Sequence, residues 1–123
     1  MAHGHHAEVD RLLQDASYVQ AVADAMQALA TPSRLRILAR LFEGPSSVSE
    51  LATAVQMEGS AVSHQLRVLR HLGLVVGHRD GRQIVYELHD DHVAGMLQQV
   101  IAHVDHVRLG LAGRESTTAT VGA

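Results

Sequence analysis

The part of the sequence that most restricts the fold lies between residues 47 and 88, where two capped helices are followed at once by a hairpin. Ser47-Val48-Ser49-Glu50 has the serine and glutamate spacing of a capping box, which predicts a short helix from Val48 to about Val55. Met57-Glu58-Gly59 makes a turn, and Ser60 is expected to cap the next helix. In that helix Val62, Leu66 and Leu69 form an apolar stripe, while Ser63, His64, Arg67, Arg70 and His71 face outward. It ends at Leu72-Gly73. Two β-rich runs, 74–76 and 84–88, are joined through Arg79-Asp80-Gly81-Arg82, and Asp-Gly between such runs signals a hairpin.

The flanks are helical. Over residues 8–28 Val9, Leu12, Leu13, Ala16, Val19, Ala23 and Met26 recur at the spacing of one helix face, with a break suggested near Ser17. Thr31-Pro32 supplies a cap followed by proline at the first helical position, starting a helix through Leu35, Leu38 and Leu41 that Gly44-Pro45 stops. Asp90 or Asp91 can cap a last helix in which Val93, Leu97, Val100, Val104, Val107 and Leu111 alternate at spacings of four and three. That seam suits pairing with a second copy. Apolar residues make up 46% of the chain and aromatic residues only 2%, so the core must be aliphatic, which favours packed helices.

The expected fold is therefore mainly α with a small β-hairpin: four helices, two strands and a last helix, in the order of a winged helix-turn-helix, dimerising through its first and last helices. Residues 1–7 read as a flexible His-rich arm, 8–112 as the folded domain, and 113–123 as a small, polar, disordered tail.

The absence of Cys removes disulfides, thiolate metal sites and cysteine nucleophiles together. No apolar run reaches the length of a membrane span, and no secretory signal opens the chain, so the expected location is cytoplasmic with no membrane partner. The formal charge is −3, yet the interval from Ser60 to Tyr86 holds Arg67, Arg70, Arg79 and Arg82 against Asp80 alone. Phosphate attraction depends on where cations sit, and this local patch is basic. In the second helix Ser60 and Ser63 permit close approach to a major groove, His64 and Gln65 can hydrogen-bond base edges, and Arg67 and Arg70 can meet phosphates, as can Arg79 and Arg82 on the hairpin. The plain alternative is a pair of packed helices with a solvated charged face. No phosphate loop, His-Glu-x-x-His or arranged nucleophile supports an enzyme.

Ten His are unusual in 123 residues. The last helix opens with Asp90-Asp91-His92 and carries His103 and His106; at ~100° per residue these imidazoles share a stripe. The rise from His92 to His103 is about 16 Å, far beyond the ~4 Å between two ligands of one ion, so one helix cannot close a site. Two antiparallel copies would set Asp90 and His92 of one beside His103 and His106 of the other, a carboxylate and three imidazoles. Taken singly, Asp90 is a helix cap and each His a polar rim residue. His3, His5 and His6 are candidate extra ligands from the amino-terminal arm, and a larger donor set tilts the expected ion from zinc toward nickel, with cobalt alongside.

Residues 30–38 (ATPSRLRIL), 60–69 (SAVSHQLRVL), Gly73-Leu74-Val75 and Asp80-Gly81-Arg82 resemble the ArsR/SmtB family of metal-responsive regulators over about residues 20–112. The pattern Asp90-x-His92, ten residues, His103-x-x-His106 is similar to the interfacial site of that family's zinc and nickel/cobalt sensors. The resemblance implies a repressor whose hold on double-stranded operator DNA is relieved by metal. Three departures stand out: the helix from Val48 to Val55 lacks the Cys of the family's soft-metal sensors, Gly59 stands where relatives often carry a DNA-contacting Gln, and Arg108 and a tail without His stand where nickel sensing in the family uses further carboxy-terminal His. Two other readings remain at this point, a winged-helix regulator that does not sense metal and a metal buffer or nickel-handling protein. A second regulatory protein as partner is left open.

Overall fold

The computed structural model describes residues 6–110 with their side chains; 2–5 and 111–122 enter only through the bounds of the first and last helices. The elements are α1 (Ala2–Gln14), α2 (Ala16–Ala28), α3 (Pro32–Phe42), β1 (Ser46–Ser47), α4 (Val48–Val55), α5 (Gly59–His71), β2 (Val75–Asp80), β3 (Gln83–Leu88) and α6 (Asp91–Gly122). Residues 1–89 form one compact unit and 90–123 another. His3, His5 and the 113–123 tail lie outside the described side chains.

The break suggested near Ser17 is present two residues earlier, at Asp15, and divides the segment into two helices. Asp15 leaves helical geometry (φ −105, ψ 102), and its side chain accepts from the Tyr18 amide at 3.0 Å and from the Ser17 hydroxyl at 2.9 Å. A short carboxylate that bonds the backbone offers the chain an alternative to helix, while the apolar spacing runs on across the break. The Arg11 guanidinium closes the corner, 3.9 Å from the Tyr18 ring centroid.

Thr31 caps α3 through the Arg34 amide at 3.3 Å, with Pro32 at the first position as expected. Its buried stripe is Ile37, Leu38 and Leu41; Leu35, expected inside, is 39% exposed because it starts one face too early for that stripe. The capping box holds: Glu50 N–H donates to Ser47 Oγ at 3.3 Å, and Ser47 N–H donates to Glu50 Oε1 at 3.0 Å. Ser60 is not the cap of α5. Glu58 occupies that place without a side-chain bond, and the helix begins at Gly59, which leaves Ser60 in its first turn. At the other end Gly73 N–H bonds Arg70 O at 3.0 Å and Leu74 N–H bonds Leu69 O at 3.0 Å, which satisfies the last carbonyls.

The hairpin is longer than its sequence signal and gains a third strand. The antiparallel sheet runs β1-β3-β2, with Ser46 opposite Tyr86 and Gly77 opposite Tyr86 on the other side. Asp80 pairs with Gln83, so the turn is Gly81-Arg82, and the positive φ of Gly81 (+66) is the conformation a two-residue turn of this kind needs at its first position. Val62, Leu66 and Leu69 of α5 are fully buried with Leu51, Ile37, Leu38 and Val75, an all-aliphatic core.

In the second unit, Asp90 Oδ1 accepts from the amides of His92 (3.0 Å) and Val93 (3.3 Å), the expected cap of α6. The predicted seam divides: Val93 and Leu97 are buried, whereas Val100, Val104 and Val107 are exposed, and Leu111 lies outside the described side chains.

Candidate nucleic-acid and metal-binding residues

Three elements build the polar face of the first unit. The apolar stripe of α5 fixes the helix against the core, which turns Ser60, His64, Arg67 and Arg70 outward as exposed side chains and leaves Ser63 half-buried. Arg79 lies in the exposed end of β2 and Arg82 in the turn, both exposed. Between α5 and the sheet lie two clefts: one of about 220 Å³ lined by Ser63, Leu66, Arg67, Arg70 and Tyr86, and one of about 380 Å³ lined by Ser47, Val48, Ser49, Ser63, Gln83, Ile84 and Tyr86. The phenol ring of Tyr86 therefore borders both.

Tyr86 can lie there because its neighbour across the ladder has no side chain. A Cβ at Gly77 would stand 2.9 Å from Tyr86 Cε1, closer than packing permits. Sequence reasoning passed over both residues, and the signal was a lone glycine inside a strand pattern.

Gln65 does not stand with the outward group. It is half-buried on the flank of α5, and its Oε1 accepts from Arg34 Nε at 2.7 Å, a side-chain bond between α3 and α5. No spacing rule in the sequence pairs two residues 31 positions apart, so this bond is not legible there.

The fold shifts the acidity of Glu50 and of Asp15. The backbone N–H and hydroxyl of Ser47 hold the Glu50 carboxyl below its ordinary value. The Tyr18 amide and Ser17 hydroxyl, with Arg11 nearby, do the same for Asp15.

In the second unit the Asp90 carboxylate does two things at once. One oxygen caps the helix, and Oδ2 lies 3.5 Å from His92 Nδ1, while the His92 side chain is 96% exposed. That separation matches the ~3.4 Å expected between two ligands of a tetrahedral ion with bonds near 2.1 Å. His103 and His106 are exposed further along α6. Among the described residues no group of three His, Asp or Glu side chains in one protomer is placed to hold an ion. His6 is exposed on α1.

Comparison with known proteins places this arrangement. The model of the bacterial regulatory protein, arsR family, matches residues 31–76, from the cap of α3 into β2. Over 100 residues (81% of this chain and 83% of the relative) the chain is 59% identical to the HTH-type transcriptional regulator NmtR of Mycobacterium tuberculosis H37Rv. It is 44% identical over 85 residues to the transcriptional repressor SmtB homolog of Synechocystis sp. PCC 6803, covering 69% of this chain and 64% of that one. Among solved structures it is similar to apo-NmtR in solution (TM-score 0.65, 60% identity, 75% of this chain and 77% of that chain). It is also similar to the homodimeric winged helix-turn-helix DNA-binding domain of Mb0332 from Mycobacterium bovis (TM-score 0.71, 33% identity, 75% and 85%). These relatives are regulators rather than enzymes, and their winged fold is the one built here from α4, α5, β2 and β3. The chain belongs to the ArsR family of bacterial transcriptional regulators.

Proposed function

We propose that the protein is a metal-responsive repressor: a homodimer that grips operator DNA through α5 and the hairpin, and whose grip changes when nickel, or cobalt or zinc, is bound between the two α6 helices. Ser60, Ser63 and His64 face the major groove in this reading, while Arg67, Arg70, Arg79 and Arg82 meet phosphates.

One observation carries the metal half. Asp90 and His92 already stand at ligand spacing on an exposed helix start, yet one protomer offers no third ligand among the described residues. A second copy running antiparallel supplies His103 and His106. The exposed Val100, Val104 and Val107 give those helices an apolar reason to pair. Asp90, His92, the partner's His103 and the partner's His106 would hold the ion. His6, with His3 and His5, extends the donor set toward the higher coordination that nickel favours.

The coupling needs no direct path. An ion that binds two dimer conformations unequally shifts their populations, and DNA affinity responds reciprocally. Titrating nickel, cobalt and zinc separately into the protein on promoter DNA tests the reading. A fall in DNA affinity with one of these ions is expected; unchanged affinity with all three refutes metal control.

A further inference from the structure

Arg34 and Gln65 join α3 to α5 by a side-chain hydrogen bond. On α5, at ~100° per residue, Gln65 projects roughly 70° to one side of the Val62-Leu66-Leu69 stripe, whereas Ser63 and Arg70 project roughly 75–95° to the other, toward the hairpin. The Arg34–Gln65 bond therefore lies on the flank of α5 away from the wing. At 2.7 Å it is short, and both side chains are half-buried. The base of Arg34 is fixed as well, because its amide is held by the Thr31 cap at 3.3 Å.

What matters is the charge of the tether. A guanidinium that must only be anchored is usually paired with a carboxylate, which cancels its charge. Gln65 is neutral, so it fixes the orientation of Arg34 and leaves the full positive charge in place. Only Nε is used. The terminal nitrogens carry four further N–H donors, and among the described residues no acidic side chain forms an ion pair with Arg34. A long cationic side chain held in one direction without a counter-ion is prepared for an anion from outside the protein. The duplex backbone runs along both edges of the groove that α5 enters, and Arg67, Arg70, Arg79 and Arg82 serve the hairpin edge.

We infer that Arg34, oriented by Gln65, binds a DNA phosphate on the edge of the major groove opposite the hairpin, and that Gln65 is a positioning residue rather than a reader of bases. The inference rests on the DNA-binding reading above and is independent of the metal.

The test uses the full-length protein and a short mixed-sequence duplex, because phosphate contacts contribute to non-specific binding too, with affinity measured across a salt series. Arg34→Met should weaken binding about tenfold and reduce the slope of log affinity against log salt by about one. Arg34→Lys should keep the slope, since the charge remains. Gln65→Glu should keep the tether yet lower the slope, because the new carboxylate neutralises the guanidinium. A purely structural tie would change affinity, or the thermal midpoint, without changing the slope. An unchanged slope in Arg34→Met, a lost slope in Arg34→Lys, or wild-type behaviour of Gln65→Glu each overturns the inference. If Arg34→Met does not fold, the Gln65→Glu slope decides. Wild-type protein that shows no salt-dependent binding would instead defeat the DNA-binding reading itself, which separates the two failures.

Discussion

At the scale of single residues, several side chains work through one hydrogen bond each. Glu50 is an exposed carboxylate whose proton affinity is lowered by the Ser47 amide and hydroxyl. A carboxyl with a depressed folded value contributes stability that is present above its unfolded value and lost as pH falls through the folded one. Glu50→Gln preserves the capping geometry without a titrating group. We expect the variant to be less stable than the wild type at neutral pH and to converge with it below the ordinary glutamate value of 4.5, so that its stability falls less with acid, as measured by denaturant unfolding at a series of pH values. Gly77 acts through packing instead. Gly77→Ala sets a methyl 2.9 Å from the Tyr86 ring, so the ring must leave the clefts beside Ser63, Arg67 and Arg70. Overpacking of this kind costs about 1–3 kcal/mol, and the displaced ring should also weaken DNA binding, while Gly81, at the turn, has open space around it and shows only its backbone requirement.

At the scale of elements, sequence periodicity was a good guide wherever one face is buried and a cap marks the start. The α4 capping box, the Thr31-Pro32 start of α3 and the Val62-Leu66-Leu69 stripe of α5 were all readable, because each is a local pattern of side chains on one helix. The misses share a cause: they depend on contacts between elements, or on a backbone choice with no side-chain signature. The two-residue β1 is too short to have a period and exists by pairing with β3. The break suggested near Ser17 falls two residues earlier, at Asp15, inside a stripe whose apolar spacing does not change. Gly59, with no side chain to mark it, begins α5 in place of Ser60. The Arg34–Gln65 bond is tertiary and left no trace in either helix pattern. Since the stripe of α5 is what aims its polar face, truncating Leu66, which is fully buried, should cost about 2–5 kcal/mol and reduce DNA binding in proportion to the unfolded fraction. Thermal unfolding followed by circular dichroism checks the first part.

At the scale of the whole molecule, a single protomer is an incomplete object. Val9, Leu13, Val19 and Met26 of α1 and α2 are exposed, as are Val100, Ile101, Val104 and Val107 of α6, more large apolar surface than a solitary helical domain of this size comfortably shows to water. A relative of the same fold is a homodimer. Val104→Glu places a charge in the α6 seam and should shift the protein toward monomer in sedimentation at micromolar concentration, with loss of metal affinity alongside, because the candidate ligands are divided between copies. The most direct test of that division is complementation. One variant carries Asp90→Ser, which keeps a helix cap but is a poor ligand, together with His92→Ala; the other carries His103→Ala with His106→Ala. Each alone should lack the tight site for nickel or cobalt. Co-refolded, the mixed dimers should regain one intact site of the two, seen as recovered metal binding in the heterodimer fraction. Tight binding by either variant alone, or none in the verified heterodimer, would contradict a site shared between subunits.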